Sequence, residues 1–151
     1  MKLYLDKTFP QIYEALNNVS EISKQVSNEV GLDPTTVELA LIRSSQLNQC
    51  ATCLSVHIPR ALQAGLPQQK IDLLPAWREA RDTYSEEERA AIELAETITL
   101  LPAGEKNSKA AKRAAEVFSR EQVAALEWSI ILINTYNRVS IMSEHPVRKA
   151  R

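Results

Sequence analysis

The sequence predicts an all-α protein, and two observations carry that expectation. Apolar residues recur every three or four positions through most of the chain, as on the buried face of a helix. Runs in which β-branched and polar residues alternate are absent, and glycine is scarce, at 3 of 151 residues. The length suits one domain and is short for two, so we expect a single helical domain over residues 1–151.

The first two helices have clear start signals. We expect a helix over residues 10–30, because Pro10 suits the first helical position and Gly31 ends the apolar repeat. Asp33 is a typical cap for a second helix over residues 34–47, whose first residue is again proline.

The third predicted helix carries both cysteines of the chain. Asn48 is expected to break the second helix and to cap the third, which Gly65 ends. Pro59 lies inside this helix and removes one of its backbone hydrogen bonds. A short helix is expected after Pro67, and residues 73–78 are interpreted as a turn and a packed segment.

Capping boxes mark two later helices. Ser85 and Glu88 open a helix that reaches about Leu101, before a Pro-Ala-Gly break. A further helix is expected over residues 108–118.

The last long helix starts at the second capping box, Ser119 with Gln122, and reaches about Ser143. Its apolar residues cover every direction around the axis: Trp128, Ile130, Ile131, Leu132 and Ile133. A helix that is apolar all round is buried all round, so we expect part of it to face another subunit of a homo-oligomer. The aromatic residues Trp77, Trp128 and Tyr136 are interpreted as packing residues.

Charge and composition exclude several function classes. The formal charge of -1 and the spread of the basic residues give no support for binding nucleic acid. No apolar run approaches the ~20 residues of a membrane span, and the N-terminus has no secretory apolar segment, so we expect a cytoplasmic protein. Two cysteines three residues apart are not the framework of a secreted disulfide scaffold.

The segment from Cys50 to His57 is the candidate reactive site. On a helix, Cys53 lies about 60° and His57 about 20° from Cys50, so the three side chains share one face. Two such thiols can close a disulfide, and the helix N-terminus favours the attacking thiolate. An imidazole can take up or release the proton near neutral pH.

Glu38 is the further candidate. Between Thr35 and Asn48 the only charged residues are Glu38 and Arg43, and apolar residues follow Glu38 on its helical face. A carboxylate in such surroundings needs a partner, which the thiols and His57 can supply.

The pattern leaves plainer interpretations open. The cysteines can be inert core thiols, and His57 and Glu38 can be ordinary helix residues. A structural zinc site is disfavoured because there is no second cysteine pair and His145 is the only other histidine, so we expect no metal and no cofactor.

The combination Glu38, Cys50-Ala51-Thr52-Cys53 and His57 resembles the signature of the alkylhydroperoxidase D-like (AhpD-like) branch of the carboxymuconolactone decarboxylase superfamily. Residues 43–48, 73–80 and 134–138 are also similar, so the resemblance spans most of the chain. It implies an all-helical, AhpD-like bundle that assembles as a trimer or hexamer.

The resemblance also implies roles. Cys53 would attack a hydroperoxide and become the sulfenic acid, and Cys50 would resolve it and accept electrons from outside. His57 and Glu38 would form a proton relay. The reductant would be a dithiol or a protein thiol, such as that of a peroxiredoxin. One departure is Gln49, where many members have glycine, and a larger side chain there could narrow access to Cys50.

Two other functions remain open at this point. A second branch of the superfamily decarboxylates a muconolactone but typically lacks the cysteine pair. A non-catalytic, redox-sensing oligomer would use the disulfide only to change conformation.

Overall fold

The structure is a computed structural model that describes residues 1–150, with the backbone alone for residues 105–107. All regular structure in this part of the chain is helical, which confirms the predicted fold class. The helices are α1 (Leu5–Thr8), α2 (Pro10–Glu29), α3 (Pro34–Leu47), α4 (Ala51–Gln63), α5 (Gln68–Asp72), α6 (Glu86–Leu100), α7 (Glu105–Val117) and α8 (Arg120–Met142), with a 3-10 turn at Leu74–Ala76.

The predicted helix starts are confirmed where a polar side chain supplies the cap. The Asp33 carboxylate accepts a hydrogen bond from the backbone N–H of Thr35 at 2.7 Å, at the start of α3. Both capping boxes are formed, Ser85 with Glu88 and Ser119 with Gln122. In each, the serine hydroxyl accepts a hydrogen bond from the backbone N–H of the second residue, and the side chain of that residue accepts one from the serine N–H. These local signals therefore fix where α3, α6 and α8 begin.

One helix and two boundaries differ from the sequence prediction. Helix α1 was not predicted, because four residues are too few to show an apolar repeat. The prediction that Asn48 caps α4 is wrong: the cap is Cys50, two residues later. Helix α7 starts at Glu105 rather than Ser108, because Gly104, at φ +85°, turns the chain into the helix earlier.

Helix α3 lies at the centre of the molecule and packs against α4, α6 and α8. Buried residues form two apolar clusters to which α3 and α6 both contribute. One joins them to α7 and α8 through Ala40, Leu94, Ala114, Leu126 and Ile130. The other joins them to α4, α5 and the 3-10 turn through Leu39, Ile42, Ala61, Ile71, Leu74 and Ile92.

Helix α8 is apolar on its outer side as well as its inner side. Ile130 is fully buried, whereas Trp128 and Ile131 are 59% and 43% exposed. Trp128 does not pack within the single chain, so its interpretation as a packing residue stays a prediction that depends on contact with another subunit. Among the described residues, no helix is long and apolar enough to cross a membrane.

Candidate active site

The turn between α3 and α4 sets the position of the two cysteines. The Cys50 N–H donates to the carbonyl of Ser45 in α3 at 2.9 Å, and Cys50 Sγ accepts from the backbone N–H of Cys53 at 3.3 Å. Cys50 and Cys53 are joined by a disulfide, with their Cα atoms 5.3 Å apart. The sulfur pair therefore closes the first turn of α4, where unpaired backbone N–H groups favour a thiolate once the bond is reduced.

Gln49 holds the chain in the left-handed region immediately before this turn. Its φ is +56°, a conformation that glycine adopts freely and that costs other residues about 1 kcal/mol. This requirement gives a physical reason for the glycine that is common at this position in the family that the sequence resembles. Gln49 itself is exposed and is not part of the cavity wall described below.

Asn48 ties the turn to α8. Its side-chain amide donates to Oδ1 of Asn134 and Oδ1 of Asn137, both at 2.8 Å. The amide of Asn137, which is fully buried, donates in turn to Ser45 Oγ at 3.1 Å. Because a buried amide must be bonded, this network fixes the residues that precede Cys50.

His57 and Glu38 meet across the contact between α4 and α3. His57 Nδ1 lies 2.7 Å from Glu38 Oε2, and both side chains are mostly buried. A carboxylate can only accept, so Nδ1 carries the hydrogen and Nε2 is left to exchange a proton with another group. The structure thus gives Glu38 the imidazole partner that the sequence predicted for it.

These side chains line a cavity of about 710 Å³ between α2, α3, α4, α8 and the C-terminal segment. Cys53, His57 and Glu38 are part of its wall, whereas Cys50 is not. Cys53 is 5% exposed and Cys50 only 1%. Of the two cysteines, Cys53 is therefore the one that borders the cavity.

Two tyrosines line the side of the cavity that α2 and α8 form. Tyr13 and Tyr136 contact edge to face, with ring centroids 6.1 Å apart, and Tyr136 donates to Asn17 Oδ1 at 2.8 Å. Burial raises the pKa of both phenols, so both stay neutral near pH 7. Tyr136, interpreted from sequence as a packing residue, therefore also faces the cavity.

A second histidine, His145, lies in the cavity wall and was missed at the sequence level. Its Nε2 donates to Asp6 Oδ1 at 2.9 Å, and this hydrogen bond lowers the pKa of the Asp6 carboxyl. The hydroxyl of Thr52, between the two cysteines, donates to the His145 carbonyl at 2.7 Å. The C-terminal segment is thereby attached to both α1 and α4.

The comparison with protein families places this site in a known group. A model of the carboxymuconolactone decarboxylase family matches residues 10–97, a range that contains Glu38, both cysteines and His57. The chain belongs to that family. The matched range ends before α7, so α8 and the C-terminal side of the cavity lie outside it.

Two relatives support membership of the carboxymuconolactone decarboxylase family. YdfG, an uncharacterised protein of Bacillus subtilis (strain 168), is 39% identical over 132 residues, which are 87% of this chain and 86% of that protein. The crystal structure of ATU0492 from Agrobacterium tumefaciens, a protein of unknown function suggested to be the antioxidant defence protein AhpD, superposes with a TM-score of 0.85. It is 25% identical, and the match covers 99% of both chains. The AhpD-like fold and the family resemblance are thus confirmed.

The four predicted site residues form two bonded pairs. Among the residues whose side chains the structure describes, no group of three or more His, Cys, Asp or Glu is arranged to hold a metal ion. Both sulfurs are bonded to each other, and His57 is bonded to Glu38.

Proposed function

We propose that this protein is a thiol-dependent peroxidase in which Cys53 attacks the substrate and Cys50 resolves the product. The observation that supports the proposal most is the Cys50 to Cys53 disulfide beside the hydrogen-bonded pair of His57 and Glu38, with Cys53 in the wall of their common cavity. A nucleophile next to an oriented base is the arrangement that activates a thiol.

The proposed reaction starts from the reduced dithiol. His57 Nε2 takes the proton of Cys53, and the thiolate attacks the terminal peroxide oxygen, so that the O–O bond breaks. The leaving alkoxide takes the proton from His57 and departs as the alcohol, while Cys53 becomes a sulfenic acid. The Cys50 thiol then loses its proton, and its thiolate attacks the Cys53 sulfur; the S–S bond forms as the hydroxyl group leaves with that proton as water. Glu38 stabilises the His57 imidazolium between the uptake of the Cys53 proton and its release to the alkoxide.

An external dithiol or protein thiol, such as that of a peroxiredoxin, must return the two electrons. The resemblance suggests Cys50 as the point of attack, but the burial of Cys50 favours Cys53, which the cavity exposes. Attack on the Cys53 sulfur would release Cys50 as a thiolate at the N-terminus of α4, where the helix dipole stabilises it.

A steady-state assay tests the proposal. We expect turnover of an organic hydroperoxide with at least one dithiol donor, and loss of turnover in both Cys50→Ser and Cys53→Ser. Turnover of a muconolactone by the double serine variant would instead indicate a decarboxylase. No turnover of either substrate, with a disulfide that still forms and breaks reversibly, would indicate a redox sensor.

A further inference from the structure

The cavity is much larger than the smallest peroxide requires. Its volume of about 710 Å³ lies in the range of pockets that hold organic ligands. Hydrogen peroxide is little larger than water, whose share of liquid volume is about 30 Å³. Part of the wall beside the reacting groups is apolar: Val37, Leu41, Val56, Leu132 and Ile133. A substrate that fills this space has an apolar body.

Two arginines in the same wall have no partner of their own. Neither guanidinium group, of Arg60 or of Arg148, makes a hydrogen bond or an ion pair within the described part of the chain. The two carboxylates of the wall already have partners: Glu38 is bonded to His57, and Glu21 is paired with Lys24, each at 2.7 Å. Both guanidinium groups of the cavity wall are therefore free to bind an anion.

Arg60 lies on the helix that carries the reactive groups, and the backbone of Arg148 is hydrogen-bonded to that helix. Arg60 follows Cys53 by seven residues on α4, so it lies on the same helical face and roughly 10 Å further along the axis. The backbone N–H of Arg148 donates to Ser55 Oγ of α4 at 3.0 Å, which fixes the C-terminal segment beside that helix. Helix α4 thus sets the position of Arg60 relative to Cys53 and anchors the backbone of Arg148.

We propose that the substrate is an amphipathic organic hydroperoxide with a carboxylate, which Arg60 and Arg148 bind while its apolar body lies along the cavity. This inference rests on the proposed peroxidase function and adds the class of substrate. Arginine suits the task because its planar guanidinium matches a carboxylate with two parallel hydrogen bonds. The peroxide group and the carboxylate are roughly 10 Å apart in such a substrate, as Cys53 and Arg60 are along the helix.

Binding of the reduced product tests this without turnover. The probes are a medium-chain hydroxy fatty acid with its hydroxyl at the far end and the methyl ester of that acid, titrated by calorimetry into the oxidised protein. We expect the acid to bind about tenfold more tightly than the ester, a difference of about 1.4 kcal/mol. The double variant Arg60→Gln with Arg148→Gln should lose this preference. Arg81→Gln, an exposed arginine outside the cavity, is the matched control and should keep it.

Activity on the corresponding hydroperoxide separates the two proposals. For the acid, the double variant should raise KM about tenfold relative to wild type, because an interaction present in the ground state is lost. If acid and ester bind wild type equally, or if the double variant keeps the preference, the carboxylate site is overturned, even where peroxides are reduced. If the preference is found but no hydroperoxide is turned over, the ligand class stands and the peroxidase proposal fails.

Discussion

His57 Nδ1 and Glu38 Oε2 are 2.7 Å apart, and this contact joins helix α4 to helix α3 beside the disulfide. In the mechanism that we propose, this hydrogen bond orients the imidazole and leaves Nε2 to exchange a proton with Cys53. We therefore expect His57→Gln and Glu38→Gln to retain the disulfide but to slow the reaction with peroxide by roughly 10²–10⁴-fold for the histidine, and less for the glutamate. Single-turnover stopped-flow measurements on the reduced protein give these rates.

The matched control is a second histidine–carboxylate pair, of which His145 lies in the cavity wall. Asp6→Asn removes the carboxylate partner of His145, whose Nε2 is already occupied by that bond. We expect this variant to react with peroxide at close to the wild-type rate. An equal loss in Asp6→Asn and Glu38→Gln would mean that the effect is structural rather than one of proton transfer.

A second prediction concerns the buried carboxylate of Glu96. It accepts hydrogen bonds or ion pairs at 2.7 to 2.9 Å from Arg43, Trp77 and Arg78. Burial would raise the pKa of Glu96, but hydrogen bonds from these three side chains outweigh it, and the pKa is lowered. Because its pKa is lowered, ionised Glu96 stabilises the folded state at pH values above the unfolded pKa of about 4.3. This stabilisation is lost as the pH falls through the pKa of Glu96 in the folded state.

We therefore expect Glu96→Gln to lower the free energy of unfolding by roughly 3 kcal/mol at pH 7, because the mostly buried Arg43 loses its charged partner. The difference from wild type should shrink below about pH 4 in urea titrations. Glu93→Gln is the control, since Glu93 pairs with the half-exposed Arg113 and should contribute less than about 1 kcal/mol. Equal effects of the two substitutions would contradict the interpretation.

A third prediction follows from the backbone of Gln49. Glycine relieves the cost of a φ of +56°, so Gln49→Gly should leave the protein as stable or stabilise it by up to about 1 kcal/mol. The same substitution inside a helix, Gln25→Gly in α2, should destabilise it by about 1 kcal/mol. Thermal unfolding of the two variants compares them directly, and a loss of stability in Gln49→Gly would show that the side chain has a role of its own.

The fourth prediction concerns assembly. The outer face of α8, with Trp128 and Ile131, and the exposed apolar residues of α2, including Ile12 and Ile22, are the surfaces that we expect a second copy to cover. Light scattering should give a homo-oligomer, a trimer or hexamer as the family resemblance implies. Trp128→Glu should shift it to smaller species, whereas Glu127→Gln, one residue away, should not. A monomer at micromolar concentration would overturn this expectation.

Local signals in the sequence were enough for the helices and for part of the site. Caps such as Asp33 and Ser85 predicted helix starts, since a cap is read from residues within one turn. The isolated charge of Glu38 on an apolar face predicted a partner, and His57 is that partner. Cys50, in contrast, was predicted to lie inside the third helix, because a regular rotation of 100° per residue was assumed. In the structure Cys50 is the cap of α4 and follows Gln49, whose backbone is left-handed.

The long-range part of the site could not be predicted from sequence. Asn48 and Asn137 are 89 residues apart, and His145 reaches Asp6 across 139 residues. No short motif links such positions, because their contacts follow from how α8 packs on α2 and α3. For the same reason the arginine pair, Arg60 with Arg148, emerged only from the three-dimensional structure.

The central claim is the division of labour between Cys53 and Cys50, and a trapping experiment tests it most directly. Reduced Cys50→Ser and Cys53→Ser are each treated with one equivalent of hydroperoxide in the presence of dimedone, and the adduct is located by mass spectrometry. We predict a stoichiometric adduct on Cys53 in the Cys50→Ser variant, because without the resolving thiol the sulfenic acid persists. Cys53→Ser should give none. An adduct on Cys50 in Cys53→Ser, with none on Cys53 in the other variant, would reverse the assignment and contradict the mechanism.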